Sequence, residues 1–308
     1  MTKTIPVILI CLLFGCSPDK PESPTKGRLS LLIPESVAPV LIQEVNAFLT
    51  IYGNNGAEVE YRVFSSEEIV REFLLDTLRL VFSTRRLTTA EKELAKQRTG
   101  ALIEIPVAYD GIVAVVHHKN SFERISTPEL SKMLTGPFQR WEQLVGRSSV
   151  KGRIAVILQD SSDVSRYLER RLLGGKTLLQ QIHRTRSSLE TLREVNRNEL
   201  AIGFVGLDWV DSARVPVKVL EVAEPEETAD TTFRPPVEAV GKYYPPHPAN
   251  IFRNYYPLKR TLYLYTTSER GDIASGFGSF VSNKEGQRIF LNRGFVPGTQ
   301  PIRLKPGR

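Results

Sequence analysis

The sequence predicts an α/β fold. Three observations carry that prediction. Short apolar runs alternate with amphipathic ones through the first hundred residues, helix-start signals recur between them, and the makeup, 41% hydrophobic and 24% charged over 308 residues, is that of a soluble globular chain long enough for two lobes. Strand and helix in alternation argue for a parallel-rich sheet.

In order, RLSLLIP (residues 28–34) reads as a strand. ESVAPVLIQEVNAFLTIYG reads as loop plus helix, because Leu41, Val45, Phe48 and Tyr52 recur at helical spacing and Gly53 is a natural stop. Val59, Tyr61 and Val63 alternate as in a strand. Ser65 with Glu68 makes a capping box for a helix carrying Ile69, Val70, Phe73 and Leu74. LRLVFS is a strand, Thr88 with Glu91 is a second capping box, and Gly100 closes that helix. Two apolar runs then meet at Asp110-Gly111 within IEIPVAYDGIVAVVHHKN. Ser126 with Glu129 caps a helix holding Leu130, Met133 and Leu134. IAVI (residues 154–157) is a strand that runs into LQDSSDVSRYLERR, a helix with Tyr167, Leu168 and Leu172 on its apolar side and Gly174-Gly175 at its end. One or two polar helices, the strand AIGFVG and a strand VKVLEV follow. Residues 221–248 are Pro-rich, acidic in their first half, and read as a long surface loop. RTLYLYT is a strand, and DIASGFGSFVSN and KEGQRIFLNRG are helices. No internal repeat is present.

The N-terminus bears on location. MTKTIPVILICLLFGC has Lys3, then an apolar run over residues 5–14 that is too short to span a bilayer and suits a signal-peptide core. A small residue before Cys16 after such a run resembles a lipoprotein signal, in which the Cys is lipidated and becomes the first residue; a plain secretion signal is the alternative. The expectation is a signal peptide over residues 1–15 and a tether over 16–27, since residues 17–26 are polar and proline-rich. Cys11 lies in the removed segment, so the mature chain has one Cys and no internal disulfide. The formal charge of +7 falls by one with Lys3, and its Lys and Arg are scattered among acids, which suits a solvated excess. No later segment is apolar enough to span a membrane. Location argues against nucleic acid as a partner.

Five stretches together resemble the periplasmic phosphate-binding proteins of ABC importers, in particular their lipoprotein-anchored relatives: AYDGIVAVVHHKN, STPELSKMLTGPFQRWEQL, AIGFVGLDWV, YYPLKRTLYLYT and FGSFVSNKEGQRIFLNRGFVP. Each alone is weak; five in order over residues 28–303 are strong. The resemblance implies a type II periplasmic binding protein, two α/β lobes joined by two crossover segments, near residues 108–111 and 241–254. One lobe is then 28–108 plus 253–308 and the other 109–252. It also implies a non-enzymatic monomer without cofactor, whose partners are phosphate or a similar oxyanion and an ABC importer permease.

Family ligands sit where strands end and helices begin, because backbone N–H groups and hydroxyls neutralise an oxyanion there. Three loops match. PESVAP offers Ser36 and the N–H of Val37, with a helix cap as the alternative. FSTRRL offers Ser83, Thr84 and Arg85, of which Thr84-Arg85 matches the family's Ser-Arg pair, and an Arg fork suits an oxyanion. The third loop, Gln159 to Val164, offers Ser161 and Ser162 but departs from the family's Arg then Ser-Gly-Thr: no Arg precedes it, Asp163 stands for Gly and Val164 for Thr. Ser162, Val164, Arg166 and Tyr167 instead resemble the lipoprotein relatives' Ser-Ser-x-Val-Arg-Tyr, with one residue inserted between Val and Arg, or with Arg displaced. Asp163 either stabilises its helix start, opposes an oxyanion, or accepts a hydrogen bond from a protonated one.

His117 and His118 are adjacent on an apparent strand, expected on opposite faces, and have no metal-ligand spacing. Asp110 reads as a hinge residue. The mature chain has no GxSxG and no HExxH. A second reading keeps the fold and changes the role: a drifted binding protein acting as a surface scaffold or sensor, or taking another ligand.

Overall fold

The computed structural model describes residues 22–75, 78–144, 150–226, 233–267 and 271–301. The expected signal peptide, Cys16 and the first part of the tether lie outside the described residues. The elements begin β1 (Gly27–Pro34), α1 (Ala38–Tyr52), β2 (Ala57–Phe64), α2 (Ser66–Leu74), β3 (Leu80–Ser83), α3 (Thr89–Thr99) and β4 (Ile103–His117). They continue β5 (Arg124–Ser126), α4 (Thr127–Thr135), β6 (Ala155–Gln159), α5 (Asp163–Leu168), β7 (His183–Thr185), α6 (Ser188–Arg197), β8 (Ala201–Gly206) and α7 (Leu207–Ala213). The last are β9 (Val217–Val219), β10 (Glu221–Ala223), β11 (Tyr243–Tyr244), α8 (Pro248–Phe252), β12 (Lys259–Thr266), α9 (Ile273–Ser282), α10 (Lys284–Asn292) and β13 (Val296–Pro297).

Asp110-Gly111 does not break the chain. β4 is one strand of 15 residues. Its first part pairs antiparallel with β12, from Ile103↔Thr266 to Gly111↔Lys259, and its second part pairs antiparallel with β8 over Ile112 to Val116. The largest sheet therefore runs β3-β12-β4-β8-β6-β7 from one lobe into the other. Parallel pairing is found in β1/β2, β5/β10, β6/β7 and β6/β8. The sheet is mixed rather than parallel-rich because β12 returns from far along the chain and lies antiparallel between β3 and β4; local alternation carries no signal of that return.

Alternation along the strands sorts side chains between cores. In β1, Leu29, Leu31 and Ile33 join Val45, Phe48, Phe82 and Phe277, while Leu32 faces Val70, Phe73 and Tyr265. In β4, Ile112, Ala114 and Val116 join Phe122, Trp141 and Phe204, while Val113 and Val115 face Leu192 and Val205. The capping boxes at Ser65/Glu68, Thr88/Glu91 and Ser126/Glu129 are all formed.

Several details differ from expectation. Gly53 is right-handed (φ −59°) and opens a short 3-10 turn, so the left-handed residue is Gly56 (φ 95°). VKVLEV is two strands in two sheets, β9 on β4 and β10 on β5. The long loop after it is anchored at both ends, because β11 pairs antiparallel with β10. β4 ends at His117, so His117 and His118 are not on opposite strand faces; their rings lie 4.2 Å apart. Residues 22–26 lie on the body: Arg79 pairs with Glu22, and a Cβ on Gly276 of α9 would fall 1.7 Å from the Pro24 carbonyl oxygen.

Candidate functional site

β1 and β2 run parallel, so the residues that follow them emerge at one end. Ser36 sits in the turn after β1, Ser66 is the first residue of α2, and Thr84 follows β3. Facing them from the second lobe is the start of α5, with Ser162 as its cap and Asp163 as its first residue. All five are buried. The Asp163 carboxylate enters the first lobe and takes three hydrogen bonds there. Ser66 donates its N–H to Oδ1 at 2.7 Å and its hydroxyl to Oδ2 at 2.9 Å, and Ser36 Oγ donates to Oδ2 at 3.2 Å. Thr84 supports Ser66: its N–H reaches Ser66 Oγ at 3.0 Å, with the two hydroxyls 3.1 Å apart. Backbone N–H and hydroxyls at a helix start, aimed at one carboxylate, form an oxyanion site. A protein carboxylate fills it.

Ser36 is held by Arg260 of β12. The guanidinium donates to Ser36 Oγ at 2.9 Å and to Ser36 O at 3.2 Å, and pairs with Asp110 Oδ2 at 2.6 and 3.0 Å. Arg260 and Asp110 are 2% and 1% exposed at their side chains, so each is the other's necessary countercharge. Burial pushes the Asp110 carboxyl up, with Arg260 and the N–H of Gly111 opposing. Gly206 at the end of β8 makes the approach possible: a Cβ there would fall 2.2 Å from the Ser36 carbonyl oxygen.

A second carboxylate crosses the other way. Glu35, of the first lobe, accepts from Ser188 N–H at 2.9 Å and Ser188 Oγ at 2.8 Å at the start of α6. Burial pushes the Glu35 carboxyl up, and the Ser188 donors oppose that. Its carbonyl accepts from Trp209 Nε1 at 2.8 Å. Beside this pair of crossings lies a cavity of about 320 Å³ whose charged lining is Glu35, Glu68, Asp160, Asp163 and Arg186. On the far side of Asp163 a cavity of about 10 Å³ meets Thr84, Arg85, Arg166 and Arg170, room for about one water.

The structure gathers Ser36 and Thr84 at the carboxylate, and buries Val37 at the start of α1. Ser83 does not face the cluster; its hydroxyl closes a local turn, donating to the Arg85 carbonyl at 2.8 Å and accepting from the Arg85 N–H at 3.2 Å. Arg85 spends its fork on Glu67 and Glu91, at 3.0 and 2.7 Å. Its guanidinium helps hold the Glu91 carboxylate down at about 2. Ser161 is left-handed (φ 47°), exposed, and lines the larger cavity. Ser162 is a cap: its hydroxyl accepts from Ser165 N–H and donates to the Gln159 carbonyl, both at 3.1 Å. Asp110 is more than a hinge, since it holds the Arg260 that holds Ser36. Sequence reasoning missed Ser66, Arg260, Glu35 and Ser188. Ser66 carried a usable signal, a second hydroxyl after a strand and beside a capping box. Among the described residues no group of three or more His, Cys, Asp or Glu is placed to hold a metal ion, and no helix is long and apolar enough to cross a membrane.

Comparison with known proteins agrees with this architecture. A phosphate-binding protein PstS of Borreliella burgdorferi is 24% identical over 96% of this chain and 99% of its own length. One from Bacillus subtilis is 23% identical over 65% of this chain and 59% of its own. Among solved structures, a substrate-binding protein of Clostridium perfringens with bound phosphate superposes with a TM-score of 0.70 at 20% identity, covering 88% of this chain and 99% of that one. An ABC-type phosphate transport receptor of Vibrio cholerae gives a TM-score of 0.63 at 20% identity, covering 87% and 99%. These likenesses show the type II fold. The model of the PBP superfamily domain matches residues 20–285, most of the chain, and this chain belongs to that superfamily.

Proposed function

We propose that this chain is the solute-binding component of an ABC importer, captures a small oxyanion between its lobes, and takes phosphate first among such anions. The observation that carries the reading is the set of donors from Ser36 and Ser66, supported by Thr84 and Arg260, converging on one oxyanionic group. The relatives named as phosphate-binding proteins give the ligand class. Lobe 1 is residues 28–108 and 253–308, lobe 2 is 109–252, and binding shifts the hinge between them toward closure without making or breaking a bond. The protein works as a monomer on the outer side of the membrane, held by a lipid on Cys16 after loss of residues 1–15, with the tether ending before Glu22, where the chain joins the body. Ser36, Val37, Ser66 and Thr84 are the ligand contacts of lobe 1. Ser161 lines the cleft, and Ser83, Arg85 and Ser162 shape it.

Calorimetric titration with phosphate and then sulfate tests this. Saturable phosphate binding, weakened about tenfold or more in Ser66→Ala, is expected, since a donor to a charged group contributes about 1.5–3 kcal/mol. Absence of binding in both the wild type and Asp163→Gly overturns it. One observation favours the drifted-scaffold reading: Asp163 sits on the donors, and Arg85 is paired with acids. The same absence of heat would select that reading.

A further inference from the structure

The reaching carboxylates of Glu35 and Asp163 are reciprocal. Asp163, first residue of α5 in the second lobe, binds the N-terminus of α2 in the first through Ser66 N–H and Oγ. Glu35, in the first lobe, binds the N-terminus of α6 in the second through Ser188 N–H and Oγ. Each acid occupies an anion position in the opposite lobe, so the two lobes are bridged from both sides by their own side chains. Trp209 adds a third link through its indole N–H to the Glu35 carbonyl. Gly206 lets the Ser36 backbone seat against the end of β8.

We propose that Asp163 is a built-in competitor: its carboxylate holds the cleft closed where a solute would, and an oxyanion enters by displacing it. The second half of this statement rests on the function proposed above; the first half does not. The donors that meet Asp163 are those an incoming tetrahedral oxyanion needs, and they cannot serve both at once. Two cations flank the carboxylate on the side away from its donors. Arg166 and Arg170 line the small cavity beside it, and among the described residues neither side chain makes an ion pair or hydrogen bond. A tethered group that fills a site about nine-tenths of the time lowers the apparent affinity of a free ligand about tenfold. A glycine at this position would have no side chain to compete. Asp163 therefore sets both the affinity for oxyanions and the resting state of the hinge.

The test uses the full-length lipoprotein in detergent, with inorganic phosphate as the probe and tryptophan emission as the readout. The chain has only two Trp; Trp141 is buried in a core, and Trp209 bridges the lobes. For the wild type, emission without phosphate should match emission at saturation. For Asp163→Gly, emission without phosphate should be red-shifted and return on adding phosphate, with affinity at least tenfold tighter than the wild type. If Asp163→Gly fails to fold by circular dichroism, Asp163→Asn keeps the side-chain shape and should change both readouts in the same direction, by less. A wild type that shifts on phosphate as much as the variant, or a variant that binds no more tightly, overturns the proposal. If neither protein binds phosphate, the function proposed above fails, and the comparison of phosphate-free emission between wild type and variant still decides whether Asp163 closes the cleft.

Discussion

At the residue scale the cleft depends on charges that never reach solvent. Arg260 is needed twice, as the countercharge of Asp110 and as the donor that positions Ser36. Arg260→Met would leave Asp110 buried and alone, and chemical denaturation should show a loss of about 3–5 kcal/mol. Adding Asp110→Asn should recover part of that loss, because the uncompensated charge is gone. Recovery is the discriminating result; none would mean that Arg260 acts through packing alone. The same scale shows why parts of the site escaped the sequence. Ser36 and Thr84 could be placed by the loops they follow. Arg85 looked free because its partners are distributed, with Glu67 eighteen residues earlier and Glu91 on the next helix. Arg260 lay inside an alternating strand, where only the fold reveals that it turns inward to Asp110.

At the element scale, helix starts do most of the positioning. Ser162 looked like a ligand residue and serves as the cap of α5. Ser162→Ala should cost about 1 kcal/mol of stability and leave the hydroxyls of Ser36 and Ser66 in place. A phosphate affinity changed severalfold beyond that of the wild type would show a direct role instead. In α1, Glu44 is fully buried on a helix otherwise packed with Val40, Leu41, Val45 and Phe48, and neither carboxyl oxygen has a hydrogen-bond partner among the described residues. Burial pushes its carboxyl up to about 9. Folded protein thus holds a proton there that unfolded protein releases near the ordinary value of 4.5. Stability is full below that value and falls as pH rises toward 9, by up to about 1.4 kcal/mol per pH unit. Glu44→Gln should flatten that fall and be the more stable protein at pH 8 by roughly 2 kcal/mol, after the cost of burying an amide. Parallel denaturation curves at pH 5 and pH 8 measure it; equal pH dependence in both proteins would mean that Glu44 finds a partner or water when folded. Helical spacing placed α1 correctly, and the acid within it passed as one polar position on an amphipathic face.

At the scale of the whole molecule, the two lobes share a strand, β4, and side-chain contacts cross between them. Local signals in the sequence sufficed for most individual elements, because capping boxes and alternation act over a few residues. The passage of β4 through both lobes and the return of β12 between β3 and β4 are long-range pairings, visible only through resemblance to a whole family. The two crossing carboxylates are long-range as well, joining residues 97 and 153 positions apart. That arrangement has a thermodynamic signature. If Glu35 and Asp163 close the same gap, cutting one lets the lobes part and deprives the other of its partner. The second cut then costs less than it would alone. A cycle of Glu35→Gln, Asp163→Gly and the double variant, followed by urea denaturation, should show a coupling of at least about 0.5 kcal/mol, with the double variant less destabilised than the sum of the singles. Contacts that belonged to two independent interfaces would add within about 0.3–0.5 kcal/mol. Strict additivity would place the closing force in β4 and the packed helices and leave the carboxylates as passengers. Coupling of the stated sign would make them one two-sided latch, whose release is the step that opens the cleft.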